Sequence, residues 1–104
     1  MEFPAREELA LEDVLHALAD PLRLSIVRKL AAGGALACGG ASPCPTIPKS
    51  TLAHHFKVLR QAGVLSTRAE GTQSINAVRR ADLDARFPGL LDAILHASRE
   101  PTGG

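Results

Sequence analysis

The chain has no Trp, no Tyr, one Met and only three Phe among its 104 residues. Without large aromatics its core must be filled by Leu, Ile, Val and Ala, a composition that suits packed helices. No apolar run reaches the roughly 18 residues that a membrane span needs. The first twenty residues carry Glu2, Glu7, Glu8, Glu12, Asp13 and Asp20, where a signal peptide has a basic start and an apolar centre. A cytoplasmic protein with no membrane partner is the expectation. Two cysteines, Cys38 and Cys44, are too few for the disulfide framework of a secreted mini-domain. They read as two loop thiols, as a redox pair, or as part of a soft-metal site that would need further ligands. A phosphate-binding loop, an HExxH helix and a Ser/His/Asp or Cys/His arrangement are all missing from the sequence, which argues against an enzyme.

The length fits a single domain over 1–104, with 1–6 and 100–104 as flexible tails, burying roughly 65% of its unfolded surface. The net charge of +1 hides a segregation. Residues 1–20 hold six acids against Arg6, whereas residues 49–80 hold Lys49, Lys57, Arg60, Arg68, Arg79 and Arg80 against Glu70 alone. Such a division is expected when one region meets a polyanion and another does not.

Leu9, Leu11, Val14, Leu15 and Leu18 recur at helical spacing and predict a first helix over 7–19. Asp20-Pro21 is a start signal for a second helix to about residue 32, burying Leu22, Ile26, Val27 and Leu30. From Gly33 to Pro48, four Gly and three Pro exclude a long helix, although 35–39 can form a short one. Residues 49–61 return to helical character with Leu52, Phe56 and Leu59 on one side and Ser50, Thr51, His54 and Lys57 on or near the other, closed at Ala62-Gly63. His55 falls on the inward side and reads as a hydrogen-bonded packing residue. Residues 64–69 and 72–78 read as two strands turning at Glu70-Gly71. After a polar stretch with Asp82 and Asp84, Pro88 opens a last helix to about residue 98 with Leu90, Leu91, Ile94 and Leu95 apolar.

A helix whose outer face is Lys, Ser, Thr, His and Lys can lie in a major groove, short side chains reaching base edges and lysines reaching phosphates. The hairpin beside it supplies Arg68.

The run Ala19-Asp-Pro-Leu-Arg-Leu-Ser-Ile-Val, with Lys49-Ser-Thr-Leu-Ala-His-His-Phe-Lys-Val-Leu-Arg-Gln-Ala-Gly-Val-Leu, resembles the ArsR/SmtB family of bacterial transcriptional regulators over roughly residues 9–98. The resemblance implies a mainly α (α+β) winged helix-turn-helix with a two-stranded β-hairpin wing. It implies dimerisation through the first and last helices, binding to double-stranded operator DNA and, commonly, repression released by a metal ion or another signal. It makes residues 49–61 the recognition helix, with Lys49, Ser50, Thr51 and His54 as base or phosphate contacts and Arg68 at the wing. Metal-sensing members carry a Cys-x-Cys on the first helix of the helix-turn-helix, whereas Cys38 and Cys44 stand here in a Gly/Pro-rich loop. Another family metal site pairs Asp and His on the last helix of both subunits. Here Asp92 and His96 are four apart with Glu100 a turn further on, without the fuller Asp-x-His and His-x-x-His pattern. A surface ion pair between Asp92 and His96 is the plainer reading. Any transition-metal cofactor would draw on Cys38, Cys44, Asp92 or His96. The combined expectation is a homodimeric regulator that reads an inverted-repeat operator. The alternative is a protein-interaction module that kept the fold and lost DNA binding.

Overall fold

The computed structural model describes residues 4–33, 36–37 and 48–97. A single 3-10 turn, Arg6–Glu8, precedes helix α1, Leu11–Leu18. The turn is closed by the Glu8 carboxylate, which accepts the Ala5 N–H at 2.7 Å. The continuous helix expected over 7–19 is therefore broken at Leu9, whose backbone is extended at φ −65° and ψ 127°. The break has a packing cause. Leu9 is buried and lies over Gly63, where an added Cβ would stand 2.1 Å from Leu9 Cδ2. Gly63 also sits at φ +87° and closes the third helix, so this position needs glycine for both conformation and space.

Helix α2, Pro21–Gly33, starts where the sequence predicts. Asp20 Oδ1 accepts the backbone N–H groups of Leu22 at 2.9 Å and Arg23 at 3.1 Å, and Pro21 has no N–H to leave unpaired. These bonds hold the Asp20 carboxyl below its ordinary value, the Arg23 amide contributing most.

At Leu36–Ala37, the described part of 35–39, the structure differs from the short helix expected there. Leu36–Ala37 is a two-residue strand, β1. The remainder of the Gly/Pro-rich segment, with Cys38 and Cys44, lies outside the described residues.

Helix α3, Lys49–Ala62, leads into β2, Leu65–Glu70, and β3, Gln73–Val78. All pairings are antiparallel in the order β1-β3-β2, with Leu36 opposite Asn76 and Glu70 opposite Gln73. The turn thus falls at Gly71-Thr72, one residue later than expected. Gly71 has φ +64° and is the first central residue, the place where a two-residue hairpin favours glycine. Asn76 is fully buried in the central strand; the Thr67 hydroxyl donates to its Oδ1 at 2.7 Å, satisfying a group that would be costly to bury unpaired.

The polar stretch after the hairpin folds as helix α4, Arg80–Arg86, and the last helix, α5, is Leu90–Ala97. Gly89 at φ +80° cannot belong to a right-handed helix, so α5 begins two residues after Pro88. One core joins α1, α2, α3 and β2 through Val14, Leu18, Ile26, Val27, Leu30, Phe56, Leu59 and Leu65, while Leu83 and Leu91 attach α4 and α5.

Residues 4–6, expected as tail, are pinned. Arg79 donates to the Pro4 carbonyl at 2.6 Å and Arg6 pairs with Asp82 at 2.7 Å. Arg86 donates to the Leu9 carbonyl at 2.6 Å. None of the described helices is long and apolar enough to cross a membrane.

Candidate nucleic-acid interface

Helix α3 divides by period. Leu52, Phe56 and Leu59 turn inward, Phe56 and Leu59 being buried. Ser50, Thr51, Ala53, His54, Lys57 and Gln61 are exposed. At 100° per residue, Ser50, His54, Lys57 and Gln61 form one stripe, with Thr51 and Ala53 on its flanks. Lys49 is the first helical residue. The predicted contacts Ser50, Thr51, His54 and Lys57 therefore share one solvent-facing surface, and α3 contains Lys49, Lys57 and Arg60 without a single acid. The exposed hydroxyls and imidazole can donate to or accept from base edges, and the lysine can meet phosphate as a point charge.

Three helices are tied behind this surface. Arg23 Nε donates to the Ala17 carbonyl at the end of α1 at 2.7 Å, and Arg23 Nη1 lies 3.2 Å from His55 Nδ1 on α3. A guanidinium can only donate, so the contact requires Nδ1 to accept. His55 is thus half-buried and hydrogen-bonded, as its place on the inward side suggests. The role of Arg23 in orienting α3 is not visible from spacing alone, although Arg23 stands one turn into a helix that Asp20 caps.

The β2–β3 hairpin follows α3 directly and exposes Arg68. Its guanidinium does not stand free. Arg68 donates to Glu70 Oε2 through Nη2 at 3.1 Å and Nε at 3.3 Å. Residues i and i+2 of a strand share a face, which brings the two side chains together.

The charge segregation read from the sequence is partly spent elsewhere. Arg79 pairs with Asp82 at 2.9 Å, and Arg80 with Asp84 and with Asp92. Hydrogen bonds from Arg6, chiefly, and Arg79 hold the Asp82 carboxyl below its ordinary range. The pairing predicted between Asp92 and His96 is replaced by one between Asp92 and Arg80. Among the described residues no group of three His, Cys, Asp or Glu is placed to hold a metal ion. Asp13 and His16 line a cleft of about 250 Å³ between α1 and α3 without a third such ligand.

Among the described residues two apolar surfaces are partly exposed. Leu11 and Leu15 on α1 are 42% and 44% exposed, and Leu90, Ile94 and Leu95 on α5 are half-buried.

The profile of a helix-turn-helix domain family matches residues 18–68. An uncharacterised HTH-type transcriptional regulator of Bacillus subtilis (strain 168), YceK, is 34% identical over 82 residues, 78% of this chain and 82% of the relative. Among solved structures, the homodimeric winged helix-turn-helix DNA-binding domain of Mb0332 from Mycobacterium bovis, described as a possible ArsR-family regulator, superposes with a TM-score of 0.65 at 26% identity, covering 86% of this chain and 82% of that one. The transcriptional repressor PagR of Bacillus anthracis superposes with a TM-score of 0.62 at 25% identity, covering 81% and 94% respectively.

Proposed function

This chain belongs to the winged helix-turn-helix transcriptional regulators of the ArsR family, and on that premise we propose that it is a homodimeric repressor that reads an imperfect inverted repeat in double-stranded DNA. These relatives are transcriptional regulators and not enzymes. The reading is carried by the acid-free, solvent-facing stripe of α3, with Ser50, Thr51, His54 and Lys57 side by side and the hairpin of Arg68 directly after it. In this reading α3 enters the major groove with Lys49, Ser50, Thr51 and His54 at bases and phosphates, Lys57 at the backbone, and the wing beside the adjacent backbone.

A homodimer is supported by the exposed Leu11 and Leu15 of α1 and the half-covered apolar side of α5, since a chain this small has little other surface for them to cover. It is also supported by the description of the Mycobacterium domain as homodimeric. Two recognition helices related by a two-fold axis then reach successive major grooves about 34 Å apart. The description of the Bacillus anthracis neighbour as a repressor supports repression. The whole chain acts as one DNA-binding domain in the cytoplasm. No metal is assigned to Asp92 and His96, because Arg80 already engages Asp92.

Selection of bound duplexes from a random pool, followed by footprinting on the recovered sequence, tests this reading. The expected result is an inverted repeat protected on one face with half-sites about one helical turn apart. Failure to enrich any sequence, with no salt-sensitive binding to DNA of any kind, would leave the interaction-module reading in its place.

A further inference from the structure

One edge of the Arg68 guanidinium in the wing, Nε with Nη2, is turned onto a carboxylate of the same strand. Glu70 Oε2 receives Nη2 at 3.1 Å and Nε at 3.3 Å, and the two side chains are 63% and 64% exposed. That edge of a guanidinium is one by which it can grip a phosphate, and a carboxylate presents oxygens of the same charge and similar spacing. Glu70 closes β2 against Gln73 at the tip of the hairpin, so the pair sits at the end of the element that follows α3. It is also the only acid between residues 49 and 80.

Resting on the DNA-binding reading above, we propose that Glu70 is an internal competitor for DNA phosphate at Arg68. With Glu70 in place, the Nε/Nη2 edge of the wing cation is occupied until the backbone of a duplex displaces the carboxylate. The displaced Glu70 then faces a polyanion, which opposes the contact a second time. An exposed ion pair is weak, so a docked duplex can open it. Its effect is to lower affinity for any duplex and to withhold one phosphate contact from loosely bound complexes.

The test is a double-mutant cycle of wild type, Glu70→Gln, Arg68→Ala and the double variant. Each is titrated by fluorescence anisotropy onto a labelled 30-base-pair duplex of mixed sequence between 50 and 200 mM KCl, with circular dichroism confirming unchanged folding. Glu70→Gln is expected to tighten binding by about threefold per wing, the scale of one surface ion pair. It should also steepen the dependence of log affinity on log salt by about 0.9 per freed phosphate contact. In the Arg68→Ala background the same substitution should lose most of both effects. If Glu70→Gln binds like wild type, or gives an equal gain with Arg68 removed, the competition does not exist and Glu70 is at most a distant repulsive charge. Absence of salt-dependent binding by all four proteins, with no duplex recovered from a random pool, would overturn the DNA-binding reading and this proposal together.

Discussion

Helix α3 and the segment from Arg79 to Arg86 each carry three basic residues, yet they use them oppositely. In α3, Lys49, Lys57 and Arg60 stand in a stretch with no acid, and Lys57 is exposed on the outward stripe. From Arg79 onward, Asp82 and Asp84 are interleaved with Arg79, Arg80 and Arg86, and the charge is consumed in fastening the N-terminal residues and α5 to the body of the fold. Arg79 has a side chain only 11% exposed and reaches both Pro4 and Asp82. The difference teaches that a count of positive charge locates a nucleic-acid surface poorly. Whether acids lie within reach of each cation decides it.

Substitutions can break or sharpen that contrast. The largest effect is expected on the inner face of α3. Phe56→Ala should cost about 3–5 kcal/mol of stability, read by denaturant unfolding, because a fully buried aromatic leaves a cavity beneath the proposed interface. Arg79→Ala should cost about 1–3 kcal/mol, since it strands the Pro4 carbonyl and one side of Asp82, yet leave the salt slope of DNA binding unchanged; a shallower slope would place Arg79 on the DNA. Lys57→Ala should do the reverse. It should reduce the slope by about 0.9 per protomer, about 1.8 for the dimer, and change stability by less than about 0.5 kcal/mol. The smallest effect concerns acid. Asp82 and Asp20 have carboxyls depressed by their partners, so their stabilisation is complete above the ordinary carboxylate range and is lost as pH falls through the depressed values. Thermal midpoints measured from pH 6 down to pH 2 should fall at the acid end, and Asp82→Asn should flatten the fall.

Much of this was legible because the chain is well punctuated. Asp20-Pro21 marks the start of α2 and Gly63 the end of α3, and the period of Leu52, Phe56 and Leu59 identifies the outward stripe without coordinates. What could not be read depends on partners distant in sequence. The break at Leu9 exists because that side chain is drawn over Gly63. The strand at Leu36–Ala37 exists only through β3. Helix α4 has one buried apolar residue, Leu83, too little to show a period. In the site, the Arg23 contact with His55 joins two helices and needs the tertiary fold. The Arg68 pair with Glu70 was accessible in principle, because alternate residues of a strand share a face, but treating all basic residues as one patch concealed it.

The most direct measurement is the salt dependence of binding to one duplex for wild type, Lys57→Ala and Arg80→Ala, each folded to the same extent. If α3 is the surface that meets DNA, Lys57→Ala will show a slope shallower by about 0.9 per protomer, about 1.8 for the dimer, and Arg80→Ala will match wild type. A slope that changes for Arg80→Ala and not for Lys57→Ala would contradict the account.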